Sequence, residues 1–141
     1  MNVQTTLNFF GRTEAALHFY GRALDAETLF LMRFRDCPDP TQARPGMEDK
    51  IFHATFRLGT TVIMASDCGC ERAADAPAFA GFSLALRAET PEQAERYFAA
   101  LSDGGQIQIP LRKTFFAERY GIVSDRFGLA WKIMVETPVT A

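Results

Sequence analysis

The sequence predicts an α+β fold built from two tandem βαβββ units, and three observations lead there. A run of strand, helix and three strands occurs twice along the 141 residues. The two helical segments align at an offset of 78, Glu14-Ala-Ala-Leu-His-Phe-Tyr20 against Glu92-Gln-Ala-Glu-Arg-Tyr-Phe98, with small and aromatic residues coinciding where a helix must meet a sheet. One short helix covers only one face of a sheet, so each unit leaves a face to be hidden some other way. Two units that put those faces together, with the helices outside a curved mixed sheet, would enclose a concave, apolar-lined cavity. The chain, 1–141, is the size of one domain, with unit one expected at 4–67, a linker at 68–80 and unit two at 81–136.

In unit one, residues 5–9 read as a short strand. Residues 13–24 have helical spacing, with Leu17, Tyr20 and Leu24 on one face, Ala16, Phe19 and Ala23 beside them, and Glu14, His18 and Arg22 on the polar side. Thr13 is the expected N-cap. Residues 27–36, rich in Phe, Leu and Met, read as a strand, and 37–50, with Pro38, Pro40, Pro45 and Gly46, as a long loop that is a lid, a dimer arm or merely mobile. Residues 51–58 and 61–66 form a hairpin through Gly59-Thr60. In unit two, 82–87 is a strand, and 91–102 a helix with Thr90 as cap and Pro91 in its first turn. Gly104-Gly105 ends that helix. Residues 106–112 are the next strand, and 119–124 and 129–135 pair around the turn Asp125-Arg-Phe-Gly128.

Fifteen Lys and Arg against seventeen Asp and Glu give a net charge of -2, with no basic excess to mark a nucleic-acid or membrane-surface partner. No apolar run reaches the roughly 20 residues of a membrane span, and the N-terminus lacks the basic-then-apolar pattern of a secretory signal. Three cysteines do not make a disulfide framework, so a cytoplasmic protein with free thiols is expected. Two histidines against thirteen phenylalanines exclude any mechanism that needs three imidazoles.

Leu7-Asn-Phe9, the segment from Glu14 to Tyr20, His53-Ala54, Ile63-Met-Ala-Ser-Asp67, Phe115-Phe-Ala-Glu-Arg-Tyr-Gly121 and Asp125-Arg-Phe-Gly-Leu-Ala-Trp131 resemble the PhnB-like branch of the glyoxalase/bleomycin-resistance/extradiol dioxygenase (vicinal oxygen chelate) superfamily, in order and over nearly the whole chain. The resemblance implies a glyoxalase/bleomycin-resistance-type fold, a homodimer and, in the superfamily's enzymes, a divalent metal held by His and Glu from the first and last strands of each unit. Carried over position by position, those ligands fall on Thr5, Met64, Ser83 (Phe82 if the register slips by one) and Lys132 (Met134 if it slips by two). None is an imidazole or carboxylate, and a Lys cation repels a metal. The expectation is therefore no metal and no cofactor, against a metal-dependent glyoxalase or dioxygenase. Relatives in this branch sometimes carry a 3-demethylubiquinone 3-methyltransferase label. The sequence has no Gly-rich turn after a strand in a doubly wound pattern, so methyl transfer is not expected either.

His53 alternates with Ile51, Thr55 and Arg57 away from Phe52, Ala54, Phe56 and Leu58, which places it toward the cavity. It is either a neutral imidazole that orients or deprotonates a ligand or a hydrogen-bonded structural histidine. Phe115, Phe116 and Tyr120 are either a lid, with Arg119 offering its fork to an anion, or a packing corner, with Arg119 paired to Glu118 or Asp125. Glu118 is the one carboxylate considered as a base. Met64, Met134 and Trp131 either fill the former metal position or line an adaptable apolar pocket. Asp67, Asp75 and Glu89 read as solvated turn residues, and Cys68-Gly-Cys70 as exposed linker thiols.

The favoured expectation is a metal-free small-molecule-binding protein that takes a small apolar or aromatic ligand, with His53, Arg57, Met64, Phe115, Arg119, Tyr120 and Trp131 as the ligand-binding set. The alternatives are a metal-independent lyase or isomerase using His53, with Glu118 or Arg119, and a structural dimer with a collapsed cavity.

Overall fold

The computed structural model describes residues 1–67 and 79–137. The chain divides into two compact units, Met1–Ala76 and Pro77–Ala141. The motif Cys68-Gly-Cys70 and Asp75 lie outside the described residues.

Unit one runs β1 (Thr6–Asn8), α1 (Thr13–Leu24), β2 (Glu27–Arg33), β3 (Ile51–Leu58) and β4 (Thr61–Ser66). Its four-stranded sheet has the order β1-β4-β3-β2, with β1 parallel to β4 and the other pairs antiparallel. Helix α1 buries Ala16, Leu17, Phe19, Tyr20, Ala23 and Leu24, the stripe its spacing predicts. That stripe meets Leu7, Ala54, Phe56, Ile63 and Ala65, all buried. Tyr20 stacks on Phe56 with ring centroids 6.1 Å apart, and Phe9 leans on Tyr20 at 6.2 Å. Each such ring buried against the sheet contributes about 1.5–3 kcal/mol.

Three expectations for unit one are corrected. Thr13 is the first helical residue, not the cap, and Arg12 precedes it with no side-chain cap bond. The helix start is held instead by Asp67, which is buried rather than solvated. The strand β2 stops at Arg33, because Phe34 turns inward to a buried position and opens a 3₁₀ turn, Phe34–Asp36. Phe34 N and Arg35 N then donate to Lys50 O at 3.0 Å and Glu48 O at 3.1 Å, tying both ends of the long loop together. That loop carries a second 3₁₀ turn, Pro40–Gln42, capped by the Asp39 carboxylate on Thr41 N.

Unit two repeats the pattern with β5 (Leu84–Arg87), α2 (Pro91–Ser102), β6 (Gln106–Arg112), β7 (Ala117–Ser124) and β8 (Ala130–Glu136), in the sheet order β5-β8-β7-β6. Thr13 and Pro91, and likewise Leu24 and Ser102, stand 78 residues apart, the offset of the aligned segments. Thr90 caps α2 as predicted, its hydroxyl accepting from Gln93 N at 3.1 Å, with Pro91 in the first turn where no amide is needed. Gly104 takes φ +76° after the helix. Gly105 lies so close to β7 that a Cβ there would stand 2.2 Å from Ser124 O. The helix-side core is Ala94, Phe98, Leu101, Val123, Trp131, Ile133 and Val135. The strand β5 begins at Leu84, two residues later than the sequence suggests, so Phe82 and Ser83 precede it.

Among the described residues no helix is long and apolar enough to cross a membrane.

Candidate functional site on the helix-free sheet faces

Strand register decides which side chains share a face, because directly paired residues point the same way and neighbours along a strand point oppositely. In unit one Ala54, Phe56, Ile63, Ala65 and Leu7 belong to the helix side. The other face therefore carries Thr6, Met64 and Thr55 abreast, with Asn8 and Ser66 abreast one step further along. His53 lies next to Thr55 on the same side of β3, and Met32 of β2 stands beside it. Met64 occupies an interior strand, so it rises from the middle of this face.

His53 is half-buried. Its ring lies 6.0 Å from that of Phe30, centroid to centroid, tilted by 45°. Among the described residues its imidazole makes no hydrogen bond or ion pair. Ile51 departs from the alternation: it is fully buried at the strand start, where its amide donates to Asp67 Oδ2 at 3.0 Å. Arg57, at the far end of the row, is exposed and ion-paired with Glu27.

The same logic in unit two places Ala85, Lys132 and Ile122 abreast, followed by Arg87, Met134 and Tyr120. Row for row, Lys132 corresponds to Met64 and Tyr120 to His53. Tyr120 is half-buried, with Phe116 at 5.0 Å edge-on. Arg87 is bound to Glu136 at 2.9 Å.

The remaining candidates lie elsewhere. Trp131 is in the core on the helix side, 2% exposed, its indole Nε1 donating to Asp125 Oδ2 at 2.9 Å. Phe115 is 98% exposed and touches Phe116 at 5.1 Å. Arg119 pairs with Glu95 of α2 at 3.1 Å, not with the Glu118 carboxylate or Asp125, while its Nη1 donates to Glu118 O at 2.7 Å. Glu118 sits half-buried at an irregularity in the β7–β8 pairing, between Ala117 and Arg119. A separate half-open cleft of about 330 Å³ lies in the long loop of unit one, bordered by Phe34, Cys37, Pro40, Arg44 and Pro45.

The register also shows which residues stand abreast near the positions that the resemblance implies for a metal. Thr6, not Thr5, stands beside Met64, and the carbonyl of Thr5 accepts from Met64 N at 3.0 Å. Ala85, not Ser83, stands beside Lys132. The set Thr6, Met64, Ala85 and Lys132 offers one hydroxyl, one thioether, a methyl and a cation, which does not fit the hard or borderline divalent ions of His–Glu sites. Among the described residues no group of three or more His, Cys, Asp or Glu is placed to hold a metal ion.

The family described as 3-demethylubiquinone-9 3-methyltransferase matches residues 1–134. The chain belongs to that family. Protein YjdN of Escherichia coli (strain K12) is 32% identical over 96% of this chain and 95% of its own length. Protein PA1353 of Pseudomonas aeruginosa is 33% identical, with a TM-score of 0.83 over 98% of this chain and 99% of that one. The PhnB protein of Bacillus cereus is 28% identical, with a TM-score of 0.76 over 96% and 99%. A glyoxylase/bleomycin resistance protein/dioxygenase domain from Frankia sp. EAN1pec shares the fold at 18% identity, with a TM-score of 0.61 over 96% and 95%. The chain thus shares its fold with a glyoxylase/bleomycin resistance protein/dioxygenase domain and, in keeping with the resemblance of its motifs, is similar to a PhnB protein over nearly its whole length.

What sequence reasoning missed in this family member is the role of two aspartates and one lysine. Asp67 and Asp125 follow or precede a strand, where an acidic residue reads as a solvated turn, and only the folded chain brings their donors to them. The signal for Lys132 was present: a lysine between Trp131 and Ile133 in an interior strand must point to the face opposite those two buried residues.

Proposed function

We propose that this protein is a metal-free binder of small, largely apolar or aromatic molecules, held against the helix-free faces of its sheets. The observation that carries the reading is His53. It is a half-buried imidazole on a face furnished by Met64, Thr55, Met32 and Phe30, with no bond from its ring to the protein among the described residues. Apolar surface with a few unengaged polar groups is what a small-molecule site requires: the first supplies affinity and the second orientation. Met64 and Met32 add side chains that adapt to irregular shapes.

The methyl transfer named in the family's description draws no support from this chain. A single glycine, Gly11, lies in the β1–α1 turn, which is not the phosphate- or adenosyl-cradling Gly-rich turn of a doubly wound sheet. A metal-assisted reaction draws none either, because the donor set does not fit. For general-base catalysis by His53, no carboxylate or carbonyl among the described residues bonds the ring to orient it. The protein is expected to act as a homodimer in the cytoplasm, on no nucleic acid and at no membrane.

Thermal-shift screening with aromatic and antibiotic-like compounds tests the reading. A ligand at 100 times its Kd stabilises the folded state by about 2.7 kcal/mol, enough to move the transition by several degrees. Stabilisation by some aromatic compound, lost in His53→Ala or Met64→Glu, is the expected result. A screen in which no compound raises the transition would remove the reading.

A further inference from the structure

Among the described residues Lys132 is the one lysine on the helix-free face of unit two, and its surroundings are unusual for an ammonium group. It projects from β8, an interior strand, between Ala85 of β5 and Ile122 of β7. Along its own strand the neighbours on that face are Ala130 and Met134. The residue is half-buried, and among the described residues its ammonium forms no ion pair and no hydrogen bond. Elsewhere in the same unit Arg87, Arg119 and Arg126 all have carboxylate partners, at 2.9, 3.1 and 3.0 Å. A cation held over an apolar floor loses hydration without a counter-charge in return, and an anion arriving there restores the balance.

A second unengaged polar group lies within reach. Tyr120 pairs directly with Met134, and Ile122 with Lys132, so Tyr120 is the diagonal neighbour of Lys132 on the same face. Diagonal positions in an antiparallel pair are about 7–8 Å apart, a gap that a phenol and a four-carbon amine together span. The Tyr120 hydroxyl has no hydrogen-bond partner among the described residues. One ammonium and one phenolic donor above Ile122 and Met134 form a recognition set for a single negative charge carried on an apolar body.

We infer that the helix-free face of unit two binds a monoanionic aromatic carboxylate whose charged group is held by Lys132, with Tyr120 donating to the same carboxylate and Ile122 and Met134 supporting the ring. The inference rests on the binding reading and names the chemical class of its ligand. A dianionic phosphate is less well matched, since Arg87 is already engaged by Glu136.

Calorimetric titration with 2-naphthoate and its neutral isostere 2-naphthamide tests this on the full chain. The wild type is expected to bind the carboxylate at least tenfold more tightly than the amide. Lys132→Met should erase that preference while leaving the amide affinity within about twofold, and Lys132→Arg should restore most of it. Tyr120→Phe should lower carboxylate affinity several-fold and leave the amide unchanged. Equal binding of the two probes by the wild type, or a preference that survives in Lys132→Met, overturns the inference and leaves the binding reading standing. If neither probe binds and the aromatic screen is also blank, both fall. Circular dichroism on each variant confirms that the fold is retained, and Lys132→Arg keeps the test decisive if the Met variant does not fold.

Discussion

Asp67 holds Thr13 across 54 residues of chain: one carboxylate oxygen accepts the Thr13 backbone amide at 3.0 Å and its hydroxyl at 2.6 Å. The same oxygen accepts Gly11 N at 2.8 Å, and the other oxygen takes Ile51 N at 3.0 Å. A single side chain at the end of β4 thus caps α1, closes the β1–α1 turn and anchors the start of β3. A carboxylate at a helix N-terminus also meets the positive end of the helix dipole. Asp67→Ala strands three amides, two of them buried, and a buried hydroxyl, and should cost about 3 kcal/mol by chemical denaturation. Asp67→Asn keeps one acceptor oxygen but turns an NH₂ toward a donor, so about half that loss is expected.

Asp125 does a comparable job in unit two by local means. One oxygen accepts Phe127 N at 2.8 Å and Leu129 N at 3.1 Å, and the other accepts the Trp131 indole at 2.9 Å. Replacing it by Ala should destabilise by about 2–3 kcal/mol. Because Trp131 is the only tryptophan, its emission reports the change directly. A native spectrum shifted from wild type, with an earlier unfolding midpoint, is the expected outcome.

Glu14 is held below the ordinary glutamate range, chiefly by its hydrogen bond to Arg33 at 2.5 Å and then by the charge of that guanidinium. A carboxyl whose folded pKa is depressed contributes stability above the unfolded value and loses it as pH falls through the folded one. The pair is half exposed, so solvent screening keeps the effect small. Wild type should melt above Glu14→Gln at neutral pH, and the gap should close on acidification below the ordinary glutamate range. A gap that widened in acid would contradict the assignment.

Two glycines are required by close approach. A Cβ at Gly121 would stand 2.8 Å from Leu111 Cα and 2.9 Å from Ile109 O, and at Gly105 it would strike Ser124 O. All of these contacts are backbone, which cannot yield as a flexible side chain does. Gly121→Ala should loosen the β6–β7 pairing and cost about 2 kcal/mol or more, seen as faster amide exchange in both strands. Gly128→Ala meets nothing within 4 Å but strains a φ of +85°, so a smaller loss of about 1 kcal/mol is expected there.

Much of this architecture is written in local pattern. Both helices, β3, β4 and β6 occupy the expected residues, because alternation and 3.6-residue spacing report burial on one face and both helices pack on one face only. His53 was placed on the helix-free face by the same reasoning. The failures share a cause in long-range contacts. Thr13 has the chemistry of an N-cap, but Asp67 arrives from β4 and takes that task. Arg119 finds Glu95 on α2 rather than a neighbour in sequence. Strand β2 ends early because Phe34 finds a buried position. One residue of register separates the core side of β8, where Trp131 is buried, from the other side, where Lys132 stands.

The most direct test of metal-free binding is calorimetry of an aromatic ligand from the thermal-shift screen with protein stripped by EDTA, repeated after adding back zinc or manganese. The account predicts one affinity, unchanged by stripping or by adding either ion. Binding that vanishes with EDTA and returns with a divalent metal would contradict it.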